Sequence, residues 1–327
     1  MYSSRIVGTG SYVPEKVLTN ADLERMVETS DEWIRTRTGI VERHICRDDQ
    51  ATSDLAFQAS LRAMEAAGVG PLDLDLILVG TVLPDMFFPS TACFLQAHLG
   101  ARNAAAFDIS AACSGFIYGL ALADAMLRCG GYRNVLLVGA ETLSKTIDWK
   151  DRNTCVLFGD GAGAAILQKT MGESRILSIH LYSDGSKWSL LMMPGGGSRY
   201  PISQEVIEKN LCKIKMPNGN EVFKIAVRAI EEAAIAALKH NGYEASDVDL
   251  FIAHQANARI IHAAAQRLSL PEEKVYINID RYGNTSAASI PIALDEAVRA
   301  GRVRKGDLVL LCAFGGGLTW GSALIRW

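Results

Sequence analysis

The chain has 327 residues, 49% of them hydrophobic and 21% charged, with a formal net charge of -3. That balance excludes a disordered chain, is enough for a large core in two domains or two fused halves, and gives no global electrostatic reason to bind nucleic acid or an anionic membrane. Seven scattered cysteines with no CxxC or other ligand spacing point away from a disulfide framework and from a zinc site. The sequence shows neither a signal-peptide core nor an apolar run of about 18 residues, so a reducing, cytoplasmic setting is expected, with no metal.

Residues 5–12 read as a first strand, closed by Gly8, Gly10 and a turn at Pro14. Asn20, followed by Asp22 and Glu24, reads as a helix N-cap with acidic residues in the first turn. Next, Trp33 stands between Glu32 and Ile34, with Arg35 and Arg37 close behind. An aromatic beside arginines can stack on an adenine and neutralise phosphates, and it is equally the pattern of a solvated helix with a packed tryptophan. Residues 53–67 form an amphipathic helix ended by Gly68-Val69-Gly70, and residues 74–79 a strand.

The short run Ala105-Ala106-Phe107-Asp108-Ile109 leads into Ser110-Ala111-Ala112-Cys113-Ser114-Gly115, after which Phe116, Ile117, Leu120, Ala123 and Leu127 recur at helical spacing. Cys113 therefore stands at a strand-to-helix junction. Unpaired N–H groups and the positive end of a helix dipole favour an anion there, which would lower the thiol pKa. Taken alone, a cysteine is as readily a small buried hydrophobe.

Gly159-Asp160-Gly161-Ala162-Gly163 has the glycines of a dinucleotide fingerprint, but strand-like sequence follows it, so it reads as a tight turn between strands. Residues 193–198 read as a mobile loop near an entrance. A helix over 222–237, Asn241-Gly242 and a strand over 248–253 lead to His254, placed at a strand end where α/β proteins put chemistry. Phe314-Gly315-Gly316-Gly317 follows the last buried strand, where absent side chains let backbone N–H groups face a bound oxygen.

These pieces repeat. Asp73-Leu74-Asp75-Leu76 matches Asp247-Val248-Asp249-Leu250 at an offset of 174, and the strand from Asn134 matches that from Asp307 at 173. The turn holding Cys113 is set against the turn holding Asn284, at an offset of 171. The chain thus reads as two halves, 1–172 carrying the cysteine and 173–327 carrying His254 and Asn284. Continuous Val/Ile/Leu strands alternating with helices predict an α/β fold whose sheets are covered on both faces. If the halves pack about a pseudo-twofold axis, Cys113, His254 and Asn284 converge.

Six motifs in order resemble the beta-ketoacyl-acyl carrier protein synthase III family, of the thiolase-like fold, along essentially the whole chain. They are Thr29-Ser30-Asp31-Glu32-Trp33-Ile34 with Arg37-Thr38-Gly39-Ile40; Ala111-Ala112-Cys113-Ser114-Gly115; Phe158-Gly159-Asp160-Gly161-Ala162-Gly163; His254-Gln255-Ala256-Asn257; Gly283-Asn284-Thr285-Ser286; and Phe314-Gly315-Gly316-Gly317 with Thr319-Trp320-Gly321. The resemblance implies a duplicated α-β-α-β-α layered fold and a Cys-His-Asn enzyme. Such an enzyme condenses an acyl-CoA starter with malonyl-acyl carrier protein, releasing CoA and carbon dioxide, and initiates type II fatty acid synthesis. Acyl-CoA is then a substrate, and no cofactor is implied.

On that resemblance Cys113 attacks the thioester, with the N–H groups of Cys113 and Gly316 as oxyanion hole; losing one such donor typically costs about 3 kcal/mol. Neutral His254, through Nε2, and the Asn284 amide donate to the enolate oxygen that forms on decarboxylation, which a carboxylate could not do. The second cysteine that serves thiolases as base is absent from the Asn284 turn, which favours decarboxylative condensation.

The same carry-over places Trp33 and Arg152 around the CoA adenine, Arg37 on a phosphate and Asn257 near the pantetheine. Phe88 reaches across a homodimer to floor the partner's acyl pocket, and Thr29 and Phe158 line or approach that pocket. Lys224, Arg259 and Arg267 form a basic patch for acidic carrier protein. Two departures bear on starter preference: Met216-Pro217-Asn218-Gly219 is one residue longer than the family's Met-x-Gly, and Ala258 replaces a bulkier residue. A specialised synthase using a longer or unusual acyl group is the alternative within the fold. A Cys-His-Asn hydrolase lacks its papain-type signature, and a CoA or carrier-protein binding module would have no use for the triad.

Overall fold

A computed structural model of the chain describes residues 2–173 and 175–327. The first half opens with β1 (Ser3–Tyr12), β2 (Lys16–Thr19), α1 (Asn20–Glu24), α2 (Asp31–Thr38) and β3 (Glu42–Ile45). It continues through α3 (Thr52–Ala67), β4 (Leu76–Gly80), α4 (Thr91–Leu99), β5 (Ala105–Ile109), α5 (Gly115–Cys129), β6 (Asn134–Glu141), α6 (Arg152–Cys155) and β7 (Gly161–Thr170). The second half comprises β8 (Arg175–Ser183), α7 (Gln204–Glu208), α8 (Gly219–Asn241), β9 (Leu250–Ala253), α9 (Ala258–Arg267), α10 (Ile279–Tyr282), α11 (Ser289–Arg299), β10 (Leu308–Gly315) and β11 (Thr319–Arg326).

The strands form two main sheets, β1-β7-β6-β4-β5 and β8-β11-β10-β9, and the order of the first recurs in the second. Where β5 would recur, the second sheet keeps a single bridge between Phe251 and Val275. Helices α5 and α11 lie between the sheets in one shared apolar core that includes Phe116, Leu137, Ile252, Ile290 and Leu311. Helices α3 and α4 cover the outer face of the first sheet and α8 and α9 that of the second. The result is the five-layer α-β-α-β-α arrangement expected from the sequence, and it explains why β4 and β10 are apolar and buried at every position. Among the described residues one stretch, Ala112–Cys129, is long and apolar enough to cross a membrane, and it is the α5 segment of this core.

The repeated acidic pairs do the same work twice. Asp73 accepts the Gly70 N–H at 2.9 Å and Asp247 the Glu244 N–H at 2.8 Å, closing equivalent short turns. Asp75 accepts from Arg133 and Asn134 at 2.7 and 2.9 Å, and Asp249 accepts from Leu308 at 2.7 Å, tying each entering strand to its parallel neighbour.

The structure corrects several sequence expectations. The offset of 174 set by the aspartates carries through the two small-residue turns, so Ala112 corresponds to Ser286, with φ of 47° and 49°, and Cys113 corresponds to Ala287. Asn284 is thus equivalent to Ser110, three residues away from the match read by eye. The cap of α1 is Thr19, whose hydroxyl accepts the Asp22 N–H, because the Asn20 amide is committed to Asp31 and the Ile40 carbonyl. Gly159 lies in the connection from helix α6 to β7 and Gly161 and Gly163 in β7 itself, so they are no turn between strands. The 172/173 boundary falls between β7 and β8, yet both halves contribute to one core.

Candidate active site

Leaving β5, the chain passes through Ala112 in the left-handed region and delivers Cys113 just ahead of α5. The hairpin β10–β11 clamps this turn: Thr319 Oγ1 donates to the Ala111 carbonyl at 2.8 Å, and Ser114 Oγ donates to the Thr319 carbonyl at 2.9 Å. The approach is so close that a Cβ on Gly315 would lie 2.7 Å from the Cys113 nitrogen. Glycine is therefore required at 315, and this contact brings the Gly316 N–H, with that of Cys113 itself, to the sulfur. Both N–H groups expected of the oxyanion hole thus reach the sulfur.

The thiol is not, however, an anion at rest. Burial, with a smaller push from nearby Glu141, raises Cys113 to about 11 against Ser286 and the Gly316 N–H, which pull it down. This direction is opposite to the lowered pKa expected of a helix terminus, because burial strips hydration from the charged form of the sulfur. Ser286 Oγ lies 3.3 Å from Sγ.

His254 directly follows β9, its backbone N–H donating to the Cys312 carbonyl at 2.8 Å. Its Nδ1 is 2.6 Å from Ser289 Oγ, which also accepts the Gln255 N–H at 3.2 Å. The hydroxyl proton thus goes to Nδ1, and the tautomer carries its proton on Nε2. Burial lowers this imidazole to about 3, so it is neutral at physiological pH.

Asn284 is held by a two-way backbone exchange, its N–H donating to the Leu157 carbonyl at 2.8 Å and its carbonyl accepting from Gly159 at 3.1 Å. Its Oδ1 accepts the Ser286 N–H at 2.9 Å. The amide is thereby oriented with its Nδ2 donors left for the cavity that Asn284 lines with Cys113 and His254.

Two cavities meet at Cys113. One, of 350 Å³, is mostly apolar and is walled by Val82, Leu83, Leu143, Thr146, Ile214 and Phe158 among others. The other, of 470 Å³, runs from Cys113, His254 and Asn284 out past Met216 and Asn218 to Trp33, Arg37 and Arg259. The guanidinium carbons of Arg152 and Arg37 lie 5.1 and 5.8 Å from the centre of the Trp33 ring. Asn257 caps α9 through Oδ1 and donates from Nδ2 to the Arg37 carbonyl at 3.0 Å, fixing α9 against the end of α2. Ala258 abuts Gly39 at that junction, where a Cβ on residue 39 would lie 2.5 Å from the Ala258 Cβ. The Met216–Gly219 segment forms the channel wall, with Asn218 capping α8.

Phe158 lines both cavities, whereas Thr29 and Phe88 line neither. Thr29 sits immediately before the α2 cap Ser30. Phe88 is 84% exposed beside the exposed Phe87 and Met86. Lys224, Arg259 and Arg267 are exposed on α8 and α9; Arg267 is paired with Glu231, and Arg259 stacks on Phe223 at the channel mouth.

Three residues at this site escaped the sequence reading. Ser289 and Ser286 lie in or just beyond the Asn284 motif, and Glu141 ends the apolar strand β6. A carboxylate at the end of a strand otherwise apolar was the available signal.

A buried cysteine flanked by two backbone donors, a neutral histidine and an oriented amide, set in a five-layer duplicated fold, define a thiolase-like condensing enzyme of the acyltransferase type. Residues 107–185 match the family described as 3-oxoacyl-[acyl-carrier-protein (ACP)] synthase III, and residues 238–327 its C-terminal part. The beta-ketoacyl-[acyl-carrier-protein] synthase III of Caldanaerobacter subterraneus subsp. tengcongensis is 62% identical over 322 residues, 98% of this chain and 97% of that protein. That of Xanthomonas campestris pv. campestris is 58% identical, covering 99% and 98%. The crystal structure of the 3-oxoacyl-[acyl-carrier-protein] synthase III from Aquifex aeolicus VF5 superposes with a TM-score of 0.92 at 50% identity, over 99% of this chain and 100% of that one. The priming beta-ketosynthase of the R1128 polyketide biosynthetic pathway superposes at 0.91 with 36% identity, over 98% and 96%. The chain belongs to the beta-ketoacyl-[acyl-carrier-protein] synthase III family.

Proposed function

We propose that the chain condenses a short acyl-CoA, acetyl-CoA first, with malonyl-acyl carrier protein, giving 3-oxoacyl-carrier protein, CoA and carbon dioxide as the first condensation of type II fatty acid synthesis. The observation that carries this reading is that one sulfur faces both cavities, an apolar one fit for an acyl group and a channel fit for its pantetheine carrier. Cys113 takes the acyl group while the N–H groups of Cys113 and Gly316 hold the tetrahedral oxygen. After exchange of CoA for malonyl-carrier protein, carbon dioxide leaves. The enolate oxygen then accepts from His254 Nε2–H and Asn284 Nδ2, and the enolate carbon attacks the acyl group on Cys113.

Trp33 and Arg152 take the adenine of CoA, which enters as a substrate, Arg37 takes a phosphate, and Asn257 supports the channel that holds the pantetheine. Carrier protein docks on Lys224, Arg259 and Arg267. A homodimer is supported by the exposed Phe87 and Phe88 and by β5, a sheet edge with exposed Phe107; the partner's Phe88 then closes the acyl cavity.

The volume of that cavity favours a second reading for the starter. At 350 Å³ it exceeds many times the space of one water, about 30 Å³, so it admits groups longer than acetyl. A panel of acyl-CoA esters supplied with malonyl-carrier protein, with 3-oxoacyl product and released carbon dioxide both measured, tests the proposal. Equal yields of the two from acetyl-CoA support it, free acid without condensation overturns it, and turnover confined to longer esters selects the second reading.

A further inference from the structure

Arg43, on β3, is the largest side chain that the fold buries completely, and it lines neither cavity at Cys113. Its Nη1 donates to the Leu18 carbonyl at 3.1 Å and to Asn20 Oδ1 at 2.9 Å, and its Nη2 donates to the Val156 carbonyl at 2.8 Å. Asn20 is itself held, its Nδ2 donating to Asp31 Oδ1 and to the Ile40 carbonyl, both at 2.8 Å. All three acceptors of the guanidinium are neutral. Burial lowers its pKa only to about 10, so it stays a cation at neutral pH. A buried charge with neutral partners costs stability that an apolar side chain of similar volume would not. What the guanidinium supplies is a rigid fork that fixes the end of β2, the start of α1 and the end of α6 relative to one another.

The segment that begins at Val156 is the one on which Asn284 hangs. Both backbone bonds of Asn284 go to it: the Asn284 N–H donates to the Leu157 carbonyl at 2.8 Å, and the Gly159 N–H donates to the Asn284 carbonyl at 3.1 Å. β3 grips this segment at its two ends. At one end Arg43 holds the Val156 carbonyl; at the other the Asp160 N–H donates to the His44 carbonyl at 2.8 Å, and Asp160 Oδ2 accepts the Cys46 N–H at 2.8 Å. Arg43 also packs directly behind the pairing, since a Cβ on Gly159 or on Gly283 would lie 3.0 or 3.1 Å from the Arg43 Cβ. The side chain that grips Val156 thus backs the two strands of chain that exchange bonds at Asn284.

We propose that Arg43 is a positioning residue for the condensation step: by holding the Val156 carbonyl it sets the 157–159 segment, and through that segment the Asn284 amide, where the enolate oxygen forms. The proposal rests on the condensing role proposed above. Acylation of Cys113 makes a different demand. It draws on the N–H groups of Cys113 and Gly316, which the turn before α5 and the end of β10 carry. The two half-reactions therefore separate what Arg43 does for Asn284 from what it does for the fold.

The test compares wild type, Arg43→Lys and Arg43→Gln, each also in an Asn284→Ala background. It measures single-turnover acetylation by saturating acetyl-CoA and discharge of the acetyl-enzyme by malonyl-carrier protein. Arg43→Gln is expected to slow discharge by about 10- to 100-fold, the scale of a displaced catalytic group, while acetylation stays within about threefold. Arg43→Lys keeps the charge but loses the fork, and falls between the two. With Asn284→Ala already present, either substitution changes discharge by less than about twofold. Amide hydrogen exchange adds a readout that needs no turnover: peptides spanning 156–160 and 283–286 exchange faster in both variants, and one spanning 76–80 of β4 exchanges as in wild type. An equal loss with and without the Asn284 amide overturns the proposal, as does acetylation that falls in step with discharge, since Arg43 would then serve the fold at large. Unchanged exchange at 283–286 overturns it too. Arg43→Lys carries the test if Arg43→Gln does not fold. No acetyl adduct on wild type, with faster exchange confined to the two peptides in the variants, leaves the positioning role standing and removes the condensing reading.

Discussion

His254 Nδ1 and Ser289 Oγ lie 2.6 Å apart, and this hydroxyl decides which imidazole nitrogen faces the substrate. Replacing Ser289 by Ala frees the ring to adopt the other tautomer, with a lone pair where the enolate needs a donor. Condensation by Ser289→Ala is expected to fall by roughly 10- to 100-fold, on the scale of a lost orienting partner. Acylation of Cys113 by acyl-CoA stays within about threefold, because that step uses the backbone donors. Single-turnover measurement of the two half-reactions separates them.

Buried and neutral, His254 also links stability to pH. Its folded pKa of about 3 lies below the usual 6.5, so the stability it contributes is complete above pH 6.5 and erodes as pH falls through 6.5 towards 3. By pH 5 the loss is roughly 2 kcal/mol. Glu141 opposes this, since its raised pKa makes the folded state bind the extra proton between the unfolded carboxylate range and about 8, stabilising the protein as pH falls through that window. The two largely cancel in wild type. Urea unfolding of His254→Asn and wild type at pH 7 and pH 5 isolates the histidine: the variant is expected to gain roughly 2 kcal/mol relative to wild type on acidification.

At Gly139 a Cβ would overlap the Ala287 carbonyl oxygen, in the turn that carries Ser286 and precedes α11. Gly139→Ala pushes that turn off β6 and is expected to lower stability by about 1–3 kcal/mol. Activity of the folded fraction drops as well, because Ser286 moves away from the sulfur. Thermal unfolding and the kcat of soluble enzyme check both parts.

With Arg152 only 5.1 Å above the Trp33 ring, an adenine cannot enter until the guanidinium swings out, since two stacking contacts need about 7 Å. Arg152→Ala is expected to raise KM for acyl-CoA by about five- to tenfold, the scale of one cation–π partner, and to leave kcat nearly unchanged. CoA is expected to quench tryptophan fluorescence in wild type and markedly less in Trp33→Phe.

The order of strands and helices was legible because covered sheets demand continuous apolar strands and because the aspartate pairs recur with a fixed structural task. His254 could be placed for the same reason: it follows an apolar strand, and strand ends are exposed to a cleft. The turn register was not legible, since small residues in Ser110–Cys113 and Asn284–Ala287 align equally well by eye at 171 or 174, and only the left-handed pair Ala112 and Ser286 decides. The state of Cys113 escaped for a different reason. A helix terminus is a local feature visible in sequence, but the burial that opposes it comes from packing against Gly315, and the charge that adds to it from Glu141, both remote from Cys113 in the chain. Ser289 was hidden likewise, because it meets His254 from another element.

The central claim is that Cys113 carries the acyl group between two substrates. Intact-protein mass after incubation with acetyl-CoA, for wild type and Cys113→Ser, followed by malonyl-carrier protein, tests it most directly. The account predicts one acetyl adduct on wild type, none on Cys113→Ser, and discharge of the adduct as acetoacetyl-carrier protein. An adduct of equal yield on Cys113→Ser, or a wild-type adduct that malonyl-carrier protein leaves in place, would contradict it.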